Sequence, residues 1–341
     1  MKKALISALA ALLLLASCGE KAPEYEEFYS YAETSTVQYK NSLTAQTVLL
    51  KTDNAEITCA EFMYYLATEK EKLREGVWNA YSQEEKAEFV KSKVIPEIFF
   101  TRCAATLAQK YDISVSSDEY AEYEEYISDA KDSYAGKEGF DEYLNNQHMT
   151  YDLYRFLSLQ GVLTSKVCEY YTSELTTPVH ADDETLFEAV KNGEIIRVKH
   201  ILIKNDVGDD EQENFAKAKE LENLINEGED FDKLVKEYSE DPELENEPDG
   251  YYIVKYEMED AFTQAAFSLK VGETSGTVYV NAPSYSGYHI IKRYEPDDGY
   301  VDKNLSSLRS NYLAGKFYEE VYKMCDELNI TYTEDYNKIE L

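Results

Sequence analysis

The chain has 341 residues, 43% of them hydrophobic, enough length and apolar content for two or three packed domains. Lys and Arg number 34 against 67 Asp and Glu, a formal charge of −33; phosphate backbones and bare anionic membranes would be repelled, and nucleic-acid binding is excluded. Tyrosine is abundant, at 31 residues against 13 Phe and one Trp, and its amphipathic ring suits half-buried helix faces and adaptable peptide-binding surfaces alike.

At the N-terminus Lys2 and Lys3 precede an apolar run over residues 4–15, too short for a permanent membrane span. "LLASCG" (14–19) follows, and this sequence resembles a bacterial lipobox. The resemblance implies that Cys18 receives a diacylglyceryl group and becomes the mature N-terminus. At about 0.8 kcal/mol per buried CH₂, two or more acyl chains anchor a protein stably, so the chain is expected on the outer face of a bacterial membrane. Residues 19–45 are acidic and polar without a sustained hydrophobic period, which predicts a tether.

Residues 46–192 read as an all-α domain. "TCAEFMYYLATEKEKL" places Phe62, Tyr65, Leu66 and Leu73 on one face. "SQEE" (82–85) is a capping box opening a long helical segment that Pro96 should kink or divide. "SVSSDEY" caps a helix over 118–132, and "GFDEYLNNQHMTYDLYRFLSLQGVLTSKVCEYY" predicts two more around a connection near 147–150. After Pro178 come a short helix and a glycine stop at Gly193.

The pattern then changes. "IIRVKHILIK" (195–204) reads as a buried strand in which Val198, His200 and Leu202 share one face, so an imidazole sits in apolar company. Helices over 211–227 and 231–239 follow, then an acidic loop, a strand ("YYIVKY"), a helix ("EDAFTQAAF") and strands at "GTVYV" and "GYHIIKRY". The order βααβαββ predicts an α+β domain over 193–295, with a four-stranded sheet. A helix within 300–335, carrying Leu305, Leu308, Tyr312, Phe317, Val321, Met324 and Leu328 at helical spacing, should complete the helical domain around this insert. Cys59, Cys103, Cys168 and Cys325 fall in helical segments without CxxC or Cys/His spacing, which argues against zinc; no metal or cofactor is expected. Their number permits disulfides outside the cell, but no pairing can be read.

In the last strand His289, Ile291 and Arg293 share a face, giving a second imidazole on a mainly apolar surface. "VKHILI", "FDKLVKEYSEDP", "DGYYIVKYEM", "FTQAAFSLKVGETSG" and "GYHIIKRYE" occur in an order and spacing that make residues 195–295 resemble a parvulin-type peptidyl-prolyl isomerase domain. The resemblance implies that His200 and His289 are paired core histidines and that Asp241 stands where the family places a cysteine or aspartate. It makes Met258 and Phe262 the receivers of the proline ring, and Ser286 a polar residue hydrogen-bonded near the second histidine. By pattern alone Asp241 is a turn residue among solvated acids, and Met258 and Phe262 are core. Ile253 stands where many parvulins carry an aromatic pocket residue, Tyr251 replaces a usual glycine, and "NAPSYS" (281–286) is longer than the common turn. The acidic "KNDVGDDE" replaces the basic cluster of phosphate-reading members, so phosphate recognition is not expected.

The helical region is more loosely similar to the chaperone domain of parvulin-containing foldases, and the whole to extracellular foldase lipoproteins of Gram-positive bacteria. The resemblance implies a membrane-anchored isomerase and foldase whose partners are unfolded secreted chains with X–Pro bonds. A non-catalytic holdase using the parvulin fold as a scaffold is the alternative. For the helical region, a spacer or homodimerisation role stays open.

Overall fold

The computed structural model describes residues 22–134, 137–173, 175–206, 210–282 and 285–341. The lipobox and Cys18 lie outside them, as do Pro283 and Ser284 of the 281–286 turn. The chain divides into two compact units: one takes residues up to 71, 75–169 and 320–341, the other 72–74 and 170–319.

The first unit contains β1 (Val48–Lys51), β2 (Glu56–Thr58), α1 (Cys59–Glu71), α2 (Val77–Ala80), α3 (Gln83–Phe89), α4 (Ile95–Lys110), α5 (Ser117–Ser133), α6 (Lys137–Asn146) and most of α7 (Tyr151–Thr172). Both capping boxes form: Ser82 Oγ accepts from the Glu85 N–H while Glu85 accepts from the Ser82 N–H, and Ser116 and Glu119 do the same before α5. A π-helical turn at Val90–Val94 separates α3 from α4. Pro96 lies in the first turn of α4, directly after that π-helical turn, so the segment is divided where the proline enters.

Two expectations for this unit need correction. It is not all-α, because β1 pairs antiparallel both with β2 and with residues 331–332 from the far end of the chain. The strands are two to four residues long and one partner is distant in sequence, so no local periodicity announced them. Nor is 19–45 a free tether over its described part. Phe28 and Leu43 are buried, the Phe28 carbonyl accepts from Gln160 Nε2 at 2.9 Å, and the Tyr29 carbonyl accepts from Arg102 Nε at 2.7 Å. Isolated aromatics docking one by one produce no hydrophobic period. Arg102 is itself buried, with a bidentate bond to Glu61 at 2.6 and 3.0 Å. Cys59, Cys103 and Cys325 are buried and Cys168 is half-buried; none of these four forms a disulfide, and the Cys325 thiol donates to the Cys103 sulfur at 3.4 Å. Burial pushes the Cys59 thiol up to about 12 and that of Cys168 to about 11, which holds them protonated and inert.

The second unit runs α8 (Asp183–Lys191), β3 (Ile195–Asn205), α9 (Glu211–Asn226), α10 (Phe231–Tyr238), β4 (Tyr251–Val254), α11 (Asp260–Ser268), β5 (Val278–Ala282), β6 (Tyr285–Tyr294) and α12 (Asp298–Lys303). The first part of α13 (Leu305–Asp326) belongs with it. The unit is wider than residues 193–295 because Leu186 and Val190 of α8 share a core with Ile195, Tyr252, Val301, Leu308 and Tyr312. Its antiparallel sheet has the order β4-β3-β6-β5. One face packs Ile201, Ile203, Tyr288 and Ile290 against α9 and α10. On the other face Ile196, Val198, Ile253, Val280 and Ile291 meet Phe262 and Ala266 of α11.

Candidate functional site

Strand parity puts His200 and His289 on the α11 face. Leu202 pairs with His289 and His200 with Ile291, so the two imidazoles are diagonal neighbours, ring centroids 4.9 Å apart. Phe262 sits edge-on to both rings at 5.3 Å. Phe262 and Ile253 are each 2% exposed and form the floor of the site; Met258 packs half-buried on the same cluster.

The backbone explains how a loop aspartate joins them. β4 pairs with β3 only as far as Val198, which leaves the next stretch of that β3 edge open. The chain leaving α10 fills it: Ser239 Oγ accepts from the Leu202 N–H and donates to the His200 carbonyl, the Glu240 N–H donates to the Leu202 carbonyl, and Glu240 Oε2 accepts from the Lys204 N–H. Asp241 follows as the N-cap of the turn Pro242–Glu245. Its Oδ1 accepts from the Glu243 N–H at 3.1 Å, and its Oδ2 lies 3.5 Å from His200 Nε2 and accepts from the Tyr251 hydroxyl. The tyrosine ring stacks beside His200 at 5.6 Å.

Gly250 makes this approach possible. It has φ +92°, and a Cβ there would lie 2.4 Å from the Val198 carbonyl oxygen. The chain therefore enters β4 against β3, with Tyr251 opposite Val198 and on the histidine face.

Ser286 is a correction. It lies three residues before His289 in the same strand, an odd separation that places the two on opposite faces. The serine bonds Tyr279 instead, and Tyr285 meets the histidine, its hydroxyl 3.1 Å from His289 Nε2. Of the other expected site residues, His200, His289, Asp241, Met258, Phe262 and Ile253 converge. Tyr251 and Tyr285 were missed as participants, although alternation from Ile253 and His289 would have placed each on this face.

Burial holds both histidines in the neutral form. It pushes His200 down to about 4 against the opposing pull of Asp241, and holds His289 well below the usual imidazole range with help from His200. The carboxylate favours a proton on His200 Nε2, and a donating Tyr285 hydroxyl favours one on His289 Nδ1. The two Nδ1 atoms are buried without a hydrogen-bond partner in the structure, one left as an acceptor and the other as a donor by these tautomers. Among the described residues no group of three His, Cys, Asp or Glu is placed to hold a metal ion. The arrangement has no activated nucleophile; it offers a carboxylate and neutral imidazoles beside an apolar floor.

Residues 200–295 match the rotamase family, the PPIC-type PPIASE domain. The chain is 26% identical over 298 residues to the foldase protein PrsA of Caldanaerobacter subterraneus, spanning 81% of this chain and 85% of that protein. It is 31% identical over 216 residues to the foldase protein PrsA of Oceanobacillus iheyensis (62% and 66%), and 34% identical over 137 residues to that of Bacillus subtilis (40% and 41%). The crystal structure of the peptidylprolyl isomerase PrsA from Bacillus anthracis aligns with 68% of this chain and 96% of its own at 22% identity, with a TM-score of 0.28.

Proposed function

We propose that this chain, a parvulin-type peptidyl-prolyl cis/trans isomerase and foldase, assists the folding of secreted proteins while held by a lipid on Cys18 at the outer face of the membrane. The observation that carries the catalytic reading is the convergence of His200, His289 and Asp241 above Phe262, with Met258 alongside.

An X–Pro amide resists rotation by about 18–20 kcal/mol because its C–N bond is partly double, and uncatalysed exchange takes tens to hundreds of seconds. No covalent bond is broken. In the twisted transition state the amide resonance is lost and negative charge recedes from the carbonyl oxygen. A carboxylate beside that oxygen disfavours the planar, charge-separated ground state more than the twisted one. Asp241 is the group for this role, and Met258 and Phe262 give the proline ring an apolar seat that excludes water. The neutral histidines pack against one another beside Asp241, and neither attacks the substrate.

Unit one supplies client binding in this proposal. It carries a cleft of about 480 Å³ in which Val37, Tyr39, Met63, Leu66 and Met149 are joined by Lys70, Glu71, Asn145 and His148, a mixed surface that suits the apolar and polar side chains of an unfolded polypeptide.

A second reading, a holdase with the isomerase fold as scaffold, is favoured by one observation. Both Asp241 oxygens are already engaged, Oδ1 by the Glu243 N–H and Oδ2 by Tyr251. A protease-free isomerisation assay on a proline peptide separates the two. Wild type should exceed the uncatalysed rate and Asp241→Ala and His200→Ala should fall towards it; a wild-type rate at the uncatalysed level would leave only the holdase. For the anchor, Cys18→Ala should release the protein from the membrane, and unchanged retention would refute lipidation.

A further inference from the structure

We propose that Tyr251 is a positioning residue for Asp241: its hydroxyl fixes Oδ2 and its ring braces His200, so that the carboxylate presents one orientation to a bound prolyl amide. The inference rests on the catalytic reading of Asp241 given above and adds a residue to it.

Two contacts and a backbone constraint converge on this role. The hydroxyl donates to Oδ2, the same oxygen that faces His200 Nε2. The ring lies nearly parallel to the imidazole, 26° between planes, and limits its rotation. Gly250 fixes where the strand begins, so the tyrosine can swing away only by changing its own rotamer. Without the hydroxyl, Oδ2 would keep only the 3.5 Å approach of His200, which is too long to orient a carboxylate. Burial and the neighbouring Asp241 both raise the phenol's proton affinity, so it remains a donor throughout the working pH range.

Tyr251→Phe keeps the ring and removes the donor. Hydrogen bonds to charged groups are worth more than neutral ones, so the variant should lose about tenfold in kcat with KM little changed. A fall in kcat with KM held is the split that a merely structural tyrosine would not produce. The titratable groups around the pair are His200 from β3 and Tyr285 from β6 on Asp241, with Glu243 and Glu247 of the following loop acting on the phenol. None of these is altered by the substitution. In an Asp241→Asn background, Tyr251→Phe should cost nothing further.

Unchanged kcat in Tyr251→Phe, while Asp241→Asn is impaired, would overturn the inference and leave the isomerase reading intact. Full activity in Asp241→Asn would overturn both the inference and the catalytic role given to Asp241, with the isomerase reading untouched. Equal losses from Tyr251→Phe in the wild-type and Asp241→Asn backgrounds would show that the tyrosine acts by another route. Matching thermal transitions of the single variants and wild type establish that each compares folded proteins.

Discussion

Each unit buries a cluster of ionisable groups, and these two clusters are built on opposite plans. In the first, Arg102 and Glu61 are bidentate and satisfied, with Arg102 also bonded to the Tyr29 and Ile98 carbonyls. In the second, two neutral imidazoles share the interior with a carboxylate at 3.5 Å, and both Nδ1 atoms lack a partner in the structure. Saturated polar burial is architecture: it pins the N-terminal segment onto α4. Polar burial left incomplete costs stability that packing must offset, and it persists where a site needs groups free to respond to a ligand.

The largest test of that contrast is Glu61→Ala. Stranding the Arg102 guanidinium should cost about 3–5 kcal/mol in urea unfolding of the first unit, while isomerase activity per folded molecule stays near wild type. A cost below about 1 kcal/mol would place the pair among weak surface bridges.

The histidine cluster should reveal itself through pH. His200 is held at about 4 when folded, below its ordinary value near 6.5, so the unfolded chain takes up the proton first. The stability this confers is present above about pH 6.5 and is lost as pH falls towards 4, at up to about 1.4 kcal/mol per pH unit for each such histidine. Replacing His200 with Asn should flatten that slope in denaturation measured between pH 7 and 4; an unchanged slope would assign the dependence to other groups.

Asp241→Ala should invert the Glu61 result, reducing kcat about a hundredfold with a change in unfolding free energy of about 1 kcal/mol. Smallest of all is Tyr285→Phe, which leaves His289 Nε2 without its donor and should cost about 0.5–1.5 kcal/mol, read by thermal unfolding, with a modest loss of activity. A destabilisation as large as that of Glu61→Ala would mean that the site is held as rigidly as the ion pair.

Local pattern carried much of this molecule. Period-two alternation set His200 and His289 on apolar strand faces, the box at 82–85 and the serine caps of "SVSSDEY" opened helices where they formed, and Pro96 fell in the first turn of α4. Alternation also held the correction for Ser286, since three residues along a strand reverse the face. Tyr251 was legible as a side chain on the histidine face but not as the partner of Asp241, because that bond joins a loop to an edge strand through a glycine turn.

The sequence by itself determined where the longer strands and helices run, which way their side chains alternate, and that each of two imidazoles lies on an apolar strand face, because these follow from residues within a few positions of one another. Only the tertiary structure decided that 239–240 fills the open edge of β3 and delivers Asp241, that residues 331–332 extend the sheet of 48–58, and that 22–45 packs rather than tethers. Those outcomes depend on backbone edges and pockets created by distant segments, and no window of sequence contains both halves of such a contact.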